Sequence, residues 1–190
     1  MRVLFVCTGN TCRSPMAEAL FQKKVEELGK AGEIEVRSAG LRKFKGRPVS
    51  RHTRTVLAEY GIQCDREPQG MNRELIEWAD LVLTMTRFHK SVVIALFPDA
   101  IDKTFTLKEF VGEQTSFDVR DPAGKSLSRY RQCAQEIDQA LDGLQQRLGH
   151  FSAESSKGSF PFPTPQPLPR TLPLLRLLLG LMGLGTTTRS

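Results

Sequence analysis

The sequence predicts an α/β domain built on a mainly parallel sheet, and three observations lead to that class. From Val3 to about Arg147 short apolar runs alternate with amphipathic stretches, the order that parallel strands and their crossover helices require. The chain has 190 residues, room for one core of ordinary domain size and an appendage. Hydrophobic residues make up 39% and charged residues 25%, which supplies apolar surface for that core and excludes a chain that is disordered throughout.

The first strand is read at Val3–Val6. The run Met1-Arg2-Val3-Leu4-Phe5-Val6 is too short for a signal-peptide core and passes straight into polar residues. A helix over Pro15–Leu28 follows, because Ala17, Leu20, Phe21, Val25 and Leu28 recur at the 3.6-residue spacing while Gln22, Lys23, Lys24, Glu26 and Glu27 fill the other face. Further strands are expected at Glu33–Arg37, Leu81–Met85 and Thr104–Phe105. Helices are expected at Ser50–Tyr60, Asn72–Glu77, Phe88–Phe97 and Ser126–Leu148. The composition changes near His150, so residues 1–149 are read as the domain and 150–190 as a tail. Pro161, Pro163, Pro165, Pro167 and Pro169, set among serines and glycines, favour an extended, disordered linker. The leucine-rich run after it, Leu172 to Gly185, is interrupted by Arg176 and three glycines and falls short of the roughly 20 apolar residues of a bilayer span. Membrane contact by the tail is not expected; a weak partner-binding segment and a stretch with no evolved role are both open readings.

The formal net charge is +6, and half of it sits after Gly149, where Lys157, Arg170, Arg176 and Arg189 face Glu154 alone. The body is too evenly charged for a dedicated nucleic-acid binder. Cys7, Cys12, Cys64 and Cys133 are too few and too scattered for a secreted disulfide scaffold, and no CxxC pair suggests zinc. A reducing, cytoplasmic setting and a monomer are the expectations.

The chemistry concentrates in Val6-Cys7-Thr8-Gly9-Asn10-Thr11-Cys12-Arg13-Ser14-Pro15, between the first strand and the first helix. Cys7 and Arg13 stand in a C-x5-R-[ST] spacing. A loop that curls into a helix start points the backbone N–H groups of residues 8 to 13 at one spot and cradles a tetrahedral oxyanion. Cys7 would sit at the bottom of that cradle, where the N–H groups and Arg13 stabilise a nucleophilic thiolate. The planar fork of Arg13 suits two phosphate oxygens, and the Ser14 hydroxyl is placed to donate to the sulfur. Gly9 lets the loop turn, Asn10 tolerates a left-handed conformation, and Pro15 fits the first helical turn. Neither a G-x4-G-K-[ST] nor a G-x-G-x-x-G motif is present.

This segment resembles the signature loop of the low-molecular-weight protein tyrosine phosphatase family, and the resemblance extends over about residues 1–149. Arg37-Ser38-Ala39-Gly40 looks like the family's S-A-G turn, Ser50-Arg51-His52 like its helix-start histidine, and Asp121-Pro122 like its D-P loop. The resemblance implies a flavodoxin-like three-layer sandwich, a four-stranded parallel sheet flanked by helices, with the ligand at the carboxyl ends of the strands. It implies Cys7 as the nucleophile, Arg13 as the phosphate ligand and Asp121 as general acid and then base, with Asp118 as a competitor for that last role. It further implies that Thr8, Gly9, Asn10, Thr11, Cys12 and Ser14 line the phosphate site and that Ser38 and His52 brace it. No metal or cofactor is implied.

Thr11 separates the branches of the family. Tyrosine-directed members commonly carry an apolar branched residue there, whereas the protein arginine phosphatase branch looks like CTGNTCRSPMAE. A protein arginine phosphatase acting on phosphorylated proteins is therefore the first expectation, and a tyrosine phosphatase the alternative. Ala123 departs from the aromatic residue usual after the D-P pair, which implies a looser grip on the substrate side chain. Arsenate reductase of the same fold needs a closely spaced downstream cysteine pair, but Cys64 and Cys133 are 69 positions apart. A binding module without catalysis is disfavoured because nucleophile, arginine and acid are all present. Cys12 is expected either to form a reversible disulfide with Cys7 under oxidation or to be a small buried residue. Seven basic residues between Glu35 and Glu59 (Arg37, Arg42, Lys43, Lys45, Arg47, Arg51 and Arg54), with no acid among them, are read as a solvated face or as a docking loop at the pocket mouth.

Overall fold

The computed structural model describes residues 1–42 and 46–154. Four strands, β1 (Arg2–Cys7), β2 (Glu35–Gly40), β3 (Leu81–Thr84) and β4 (Thr104–Thr106), form one sheet in the order β2-β1-β3-β4. Every pairing is parallel. Six α-helices connect and cover them: α1 (Arg13–Glu27), α2 (Arg51–Glu59), α3 (Arg73–Trp78), α4 (Arg87–Leu96), α5 (Leu107–Phe110) and α6 (Leu127–Glu154).

The period of two along each strand divides the core. Val3 and Phe5 join Leu83 and Phe105 on one face, packed against Phe21 of α1, Phe110 of α5 and Leu141 of α6. Leu4 and Val6 point the other way, with Val82, against Ile76 of α3 and Val93 of α4. Val3, Leu4, Phe5 and Val6 are therefore all fully buried, which is why the run is continuously apolar rather than alternating. Each such side chain contributes roughly 1.5–3 kcal/mol by its burial. The result is the expected three-layer α/β sandwich.

Helix starts follow local chemistry. Ser50 accepts from the Thr53 N–H, Asn72 from that of Leu75 and Thr86 from that of His89, while Thr106 and Glu109 form a capping box on α5.

Several boundaries differ from the sequence expectation, each for a packing reason. β2 runs to Gly40 instead of ending at Arg37, because its register pairs Arg2 with Glu35 and carries through to Cys7 with Gly40. Ser38-Ala39-Gly40 is thus the end of a strand, not a turn. Leu28, expected in the apolar stripe of α1, is the C-terminal cap and is 46% exposed. The 3₁₀ helix Pro98–Lys103 and the single turn of α5 were not expected, being too short to show a period. α6 continues past His150 to Glu154, so the boundary expected after residue 149 falls inside a helix. The linker and the leucine-rich run of the tail lie outside the described residues, apart from the helical end at 151–154.

This topology places the site. β1 is flanked by β2 on one side and β3 on the other, the point where the strand order reverses, and the carboxyl ends of the strands open a crevice there. Cys7 is the last residue of β1.

Candidate active site

The segment from Cys7 to Arg13 wraps into the start of α1, and the turn is made at Asn10, whose φ is 54°. It is the one non-glycine residue with positive φ among those described. An asparagine tolerates that conformation when its side chain is held, and here it is held on every atom. Asn10 Nδ2 donates to Ser14 Oγ at 3.0 Å and to Ser38 Oγ at 2.6 Å, while Oδ1 accepts from Arg66 Nη2 and from the Gln69 N–H, both at 2.9 Å. Arg66 also donates to Ser38 Oγ and pairs with Glu18, to which Ser38 donates as well. Asn10, Ser14 and Ser38 are fully buried, so this satisfied network fixes the loop before any substrate arrives.

Two donors reach the sulfur. The Asn10 N–H lies 3.3 Å and the Ser14 hydroxyl 2.9 Å from Cys7 Sγ. Ser14 Oγ accepts from Asn10 and turns its own hydrogen to the sulfur at 2.9 Å, with the Ala39 carbonyl a more distant acceptor at 3.3 Å. Both contacts favour negative charge there. Burial lowers the Arg66 guanidinium below its ordinary pKa, and the neighbouring Cys7 opposes that shift. Elsewhere, burial pushes the Cys64 thiol up, and that of Cys133 up to about 12.

Arg13 links the loop to the acid. Its Nη2 donates to Asp121 Oδ2 at 2.5 Å and its Nη1 to the Val119 carbonyl at 3.3 Å. Arg13 is buried, whereas the Asp121 carboxylate is half exposed. The Ala123 N–H donates to Asp121 Oδ1 at 3.0 Å and orients the carboxylate. Asp118 is engaged elsewhere, accepting from the Arg87 N–H at the start of α4. The resulting cavity of about 230 Å3 is lined by Cys7, Thr8, Gly9, Thr11, Cys12, Arg13, Arg47, Asp121 and Ala123. Of the basic stretch, Arg47 reaches this wall and Arg37 stacks on Trp78, while Lys43 and Lys45 lie outside the described residues.

Neighbouring elements pin the rim. The Ser50 N–H and the Thr53 hydroxyl donate to the Thr11 carbonyl at 2.9 and 3.2 Å, so the start of α2 holds the far side of the loop. Cys12 Sγ lies 3.3 Å from the Tyr130 hydroxyl on α6. His52 packs edge-to-face on that tyrosine at 5.2 Å, so its contact with the loop runs through Tyr130 and not through the Ser38 hydrogen bonds. Its position at the start of α2 turns the ring toward α6, and Arg66 and Gln69 take the polar bracing instead.

Several residues that contact the loop escaped the sequence reading. His89 on α4 bridges Thr8 Oγ1 and Thr86 Oγ1, each at 2.9 Å, and burial together with the Arg13 charge lowers its pKa to about 3. Arg66, Gln69 and Tyr130 come from distant parts of the chain and carry no periodic signal. Glu18 had one: it lies four residues after Ser14, one turn along the same helix face.

Gly40 is required by close approach. A Cβ there would stand 2.8 Å from Asn10 N, Gly9 C and Arg42 O, all of them backbone atoms. Gly40→Ala is expected to displace the loop, lowering kcat on the order of 10–100-fold and stability by about 1–3 kcal/mol. Steady-state kinetics and thermal melts check this; wild-type kcat would mean that the loop can shift without harm.

A cysteine sulfur at the floor of a small cavity, with an arginine paired to an aspartate on its wall, is an arrangement that suits a cysteine-dependent phosphatase. Residues 2–153 match the family described as low molecular weight phosphotyrosine protein phosphatase, and the chain belongs to that family. It is 44% identical over 147 residues to a protein-arginine-phosphatase of Geobacillus stearothermophilus, covering 77% of this chain and 95% of that protein. The solved YwlE arginine phosphatase from Geobacillus stearothermophilus superposes with a TM-score of 0.75 at 40% identity, covering 83% of this chain and 99% of its own. A low molecular weight protein tyrosine phosphatase from T. tengcongensis superposes with a TM-score of 0.73 at 45% identity, covering 77% of this chain and 99% of its own. Among the described residues no grouping of His, Cys, Asp and Glu could hold a metal ion, and no helix is long and apolar enough to cross a membrane.

Proposed function

We propose that this chain is a protein arginine phosphatase, removing phosphate from arginine side chains of phosphorylated proteins as a cytoplasmic monomer without a cofactor. The observation that carries this reading is Thr11 in the cavity wall. Its carbonyl is anchored to α2 and its hydroxyl lies 3.6 Å from Cys12 Sγ, so a polar group stands where a tyrosine ring would favour an apolar one. The names of the relatives support the same substrate.

In the first step Cys7 Sγ attacks phosphorus and the P–N bond breaks. Asp121 delivers its proton to the departing guanidino nitrogen, and the neutral guanidine so released takes up one further proton from solvent to become the guanidinium. The loop N–H groups and Arg13 hold the equatorial oxygens as charge redistributes. In the second step Asp121 takes a proton from water, the water oxygen attacks the phosphocysteine, and the S–P bond breaks to return the thiolate and free phosphate. Ser14 and the Asn10 N–H stabilise sulfur as leaving group just as they did as nucleophile.

The test is kcat/KM on matched phosphoarginine and phosphotyrosine peptides for wild type and Thr11→Ile. Wild type is expected to prefer phosphoarginine by at least about tenfold, roughly the discrimination available to one buried polar contact, and Thr11→Ile to invert the order. Equal or greater phosphotyrosine turnover in wild type would instead establish the tyrosine phosphatase alternative, which the T. tengcongensis relative favours.

Cys12 is assigned a protective role: under mild peroxide its sulfur condenses with a Cys7 sulfenic acid, releasing water and forming a disulfide that thiols reverse. Both cysteines line the same cavity and both are free thiols here. Peptide mass spectrometry is expected to find the Cys7–Cys12 link; Cys7 sulfonate with no linked peptide would refute it.

A further inference from the structure

Beside the catalytic cavity lies a second, larger one of about 740 Å3, and Asp121 lines both. Its walls are the D-P loop, with Arg120 and Lys125, the first turns of α6, with Arg129 and Glu136, and Lys108 of α5 at the far end. The charge balance is one-sided. Each acid facing the space is already engaged, Asp121 by Arg13 at 2.5 Å and Glu136 by Lys108 at 2.7 Å. Arg120, Lys125 and Arg129 are exposed and have no carboxylate partner among the described residues; Arg129 donates to Gln132 at 2.9 Å. Three unneutralised cations thus rim a groove that opens onto the general acid.

The small cavity has room for a phosphoryl group and the end of one side chain. A protein substrate must lead its backbone away from that point, and the contiguous groove is of a size to take several flanking residues. We propose that this groove is a docking site for the polypeptide flank of the phosphoprotein, selecting carboxylate side chains next to the phosphorylated residue. The inference rests on the reading of the chain as a protein phosphatase, and it adds to that reading a sequence preference set away from the loop. Partly exposed ion pairs are individually weak, so two or three of them give a preference of about a few-fold to tenfold, weakened by salt.

The experiment uses phosphoarginine and phosphotyrosine peptides of equal length whose flanks carry glutamate, alanine or lysine, with p-nitrophenyl phosphate as a substrate that reaches the small cavity alone. Wild type is expected to favour glutamate flanks over lysine flanks by about three- to tenfold in kcat/KM, chiefly through KM, and to lose most of that preference at 0.5 M salt. In the triple variant Arg120→Ala, Lys125→Ala, Arg129→Ala the preference is expected to vanish while p-nitrophenyl phosphate turnover stays within about twofold. Equal kcat/KM for all flanks in wild type overturns the proposal, as does an acidic preference that survives in the triple variant. Running both phosphoresidues keeps the outcomes separate: if phosphoarginine is not the substrate, the phosphotyrosine series still decides the groove.

Discussion

Replacing Cys7 by serine is expected to lower kcat on any phosphorylated substrate by about 10⁵- to 10⁶-fold, the scale seen when a nucleophile is removed from an otherwise intact site. The physical reason lies in the two donors at 3.3 and 2.9 Å, which stabilise an anionic sulfur but do not deprotonate an alcohol at neutral pH. The serine oxygen fits the same space, so the thermal midpoint should change little. Asp121→Asn is the companion variant, expected to cost about 10²- to 10⁴-fold in kcat as a general acid is lost. In kcat/KM, which reports the first step, that loss should be large on phosphoarginine and small on p-nitrophenyl phosphate, whose leaving group departs without a proton, while hydrolysis of the shared phosphocysteine slows on both. A Cys7→Ser enzyme with more than 1% of wild-type turnover, or an Asp121→Asn enzyme whose kcat/KM falls equally on both substrates, would contradict the assigned roles.

Acidification from pH 7 to pH 5 is expected to cost the wild-type fold about 2 kcal/mol through His89 alone. Burial first, and the Arg13 charge second, lower its folded pKa from 6.5 to about 3. The unfolded chain therefore binds a proton over this window that the folded chain does not. Stability is complete above pH 6.5 and falls as the pH drops toward 3, by up to about 1.4 kcal/mol per unit. The geometry says why protonation is resisted. A neutral imidazole has one donor and one acceptor, which Thr8 and Thr86 satisfy from opposite ends. A second proton would add a cation near Arg13. His89→Gln can keep a polar bridge without titrating, so urea denaturation at the two pH values should show a loss smaller by about 2 kcal/mol in the variant. Equal pH dependence in both proteins would exclude His89 as the source. Because Thr8 lines the catalytic cavity, the same variant should also slow turnover.

The α/β class and the first strand were legible in the sequence, as were Cys7, Arg13 and Asp121 as candidates, which the fold brings to one cavity. Their signals are local: a fully apolar run, a helical period, a fixed C-x5-R spacing and an acid locked before a proline. Asp121 is preferred to Asp118 in the sequence because Pro122 follows it, and the fold adds that Asp121 meets Arg13 while Asp118 accepts from the N–H at the start of α4.

The bracing of Asn10 by Arg66 and Gln69, the bridge through His89, the packing of His52 on Tyr130 and the need for glycine at position 40 belong to the tertiary structure. A composition or a period describes how one segment presents its faces. It carries no record of which distant segment arrives at that face, and burial makes the arrival consequential, because a buried polar group must find its partner wherever the chain brings one. The sequence by itself determined what chemistry the loop can perform; only the packing of α2, α4, α6 and residues 66–69 around it decided how that loop is held in the geometry to perform it.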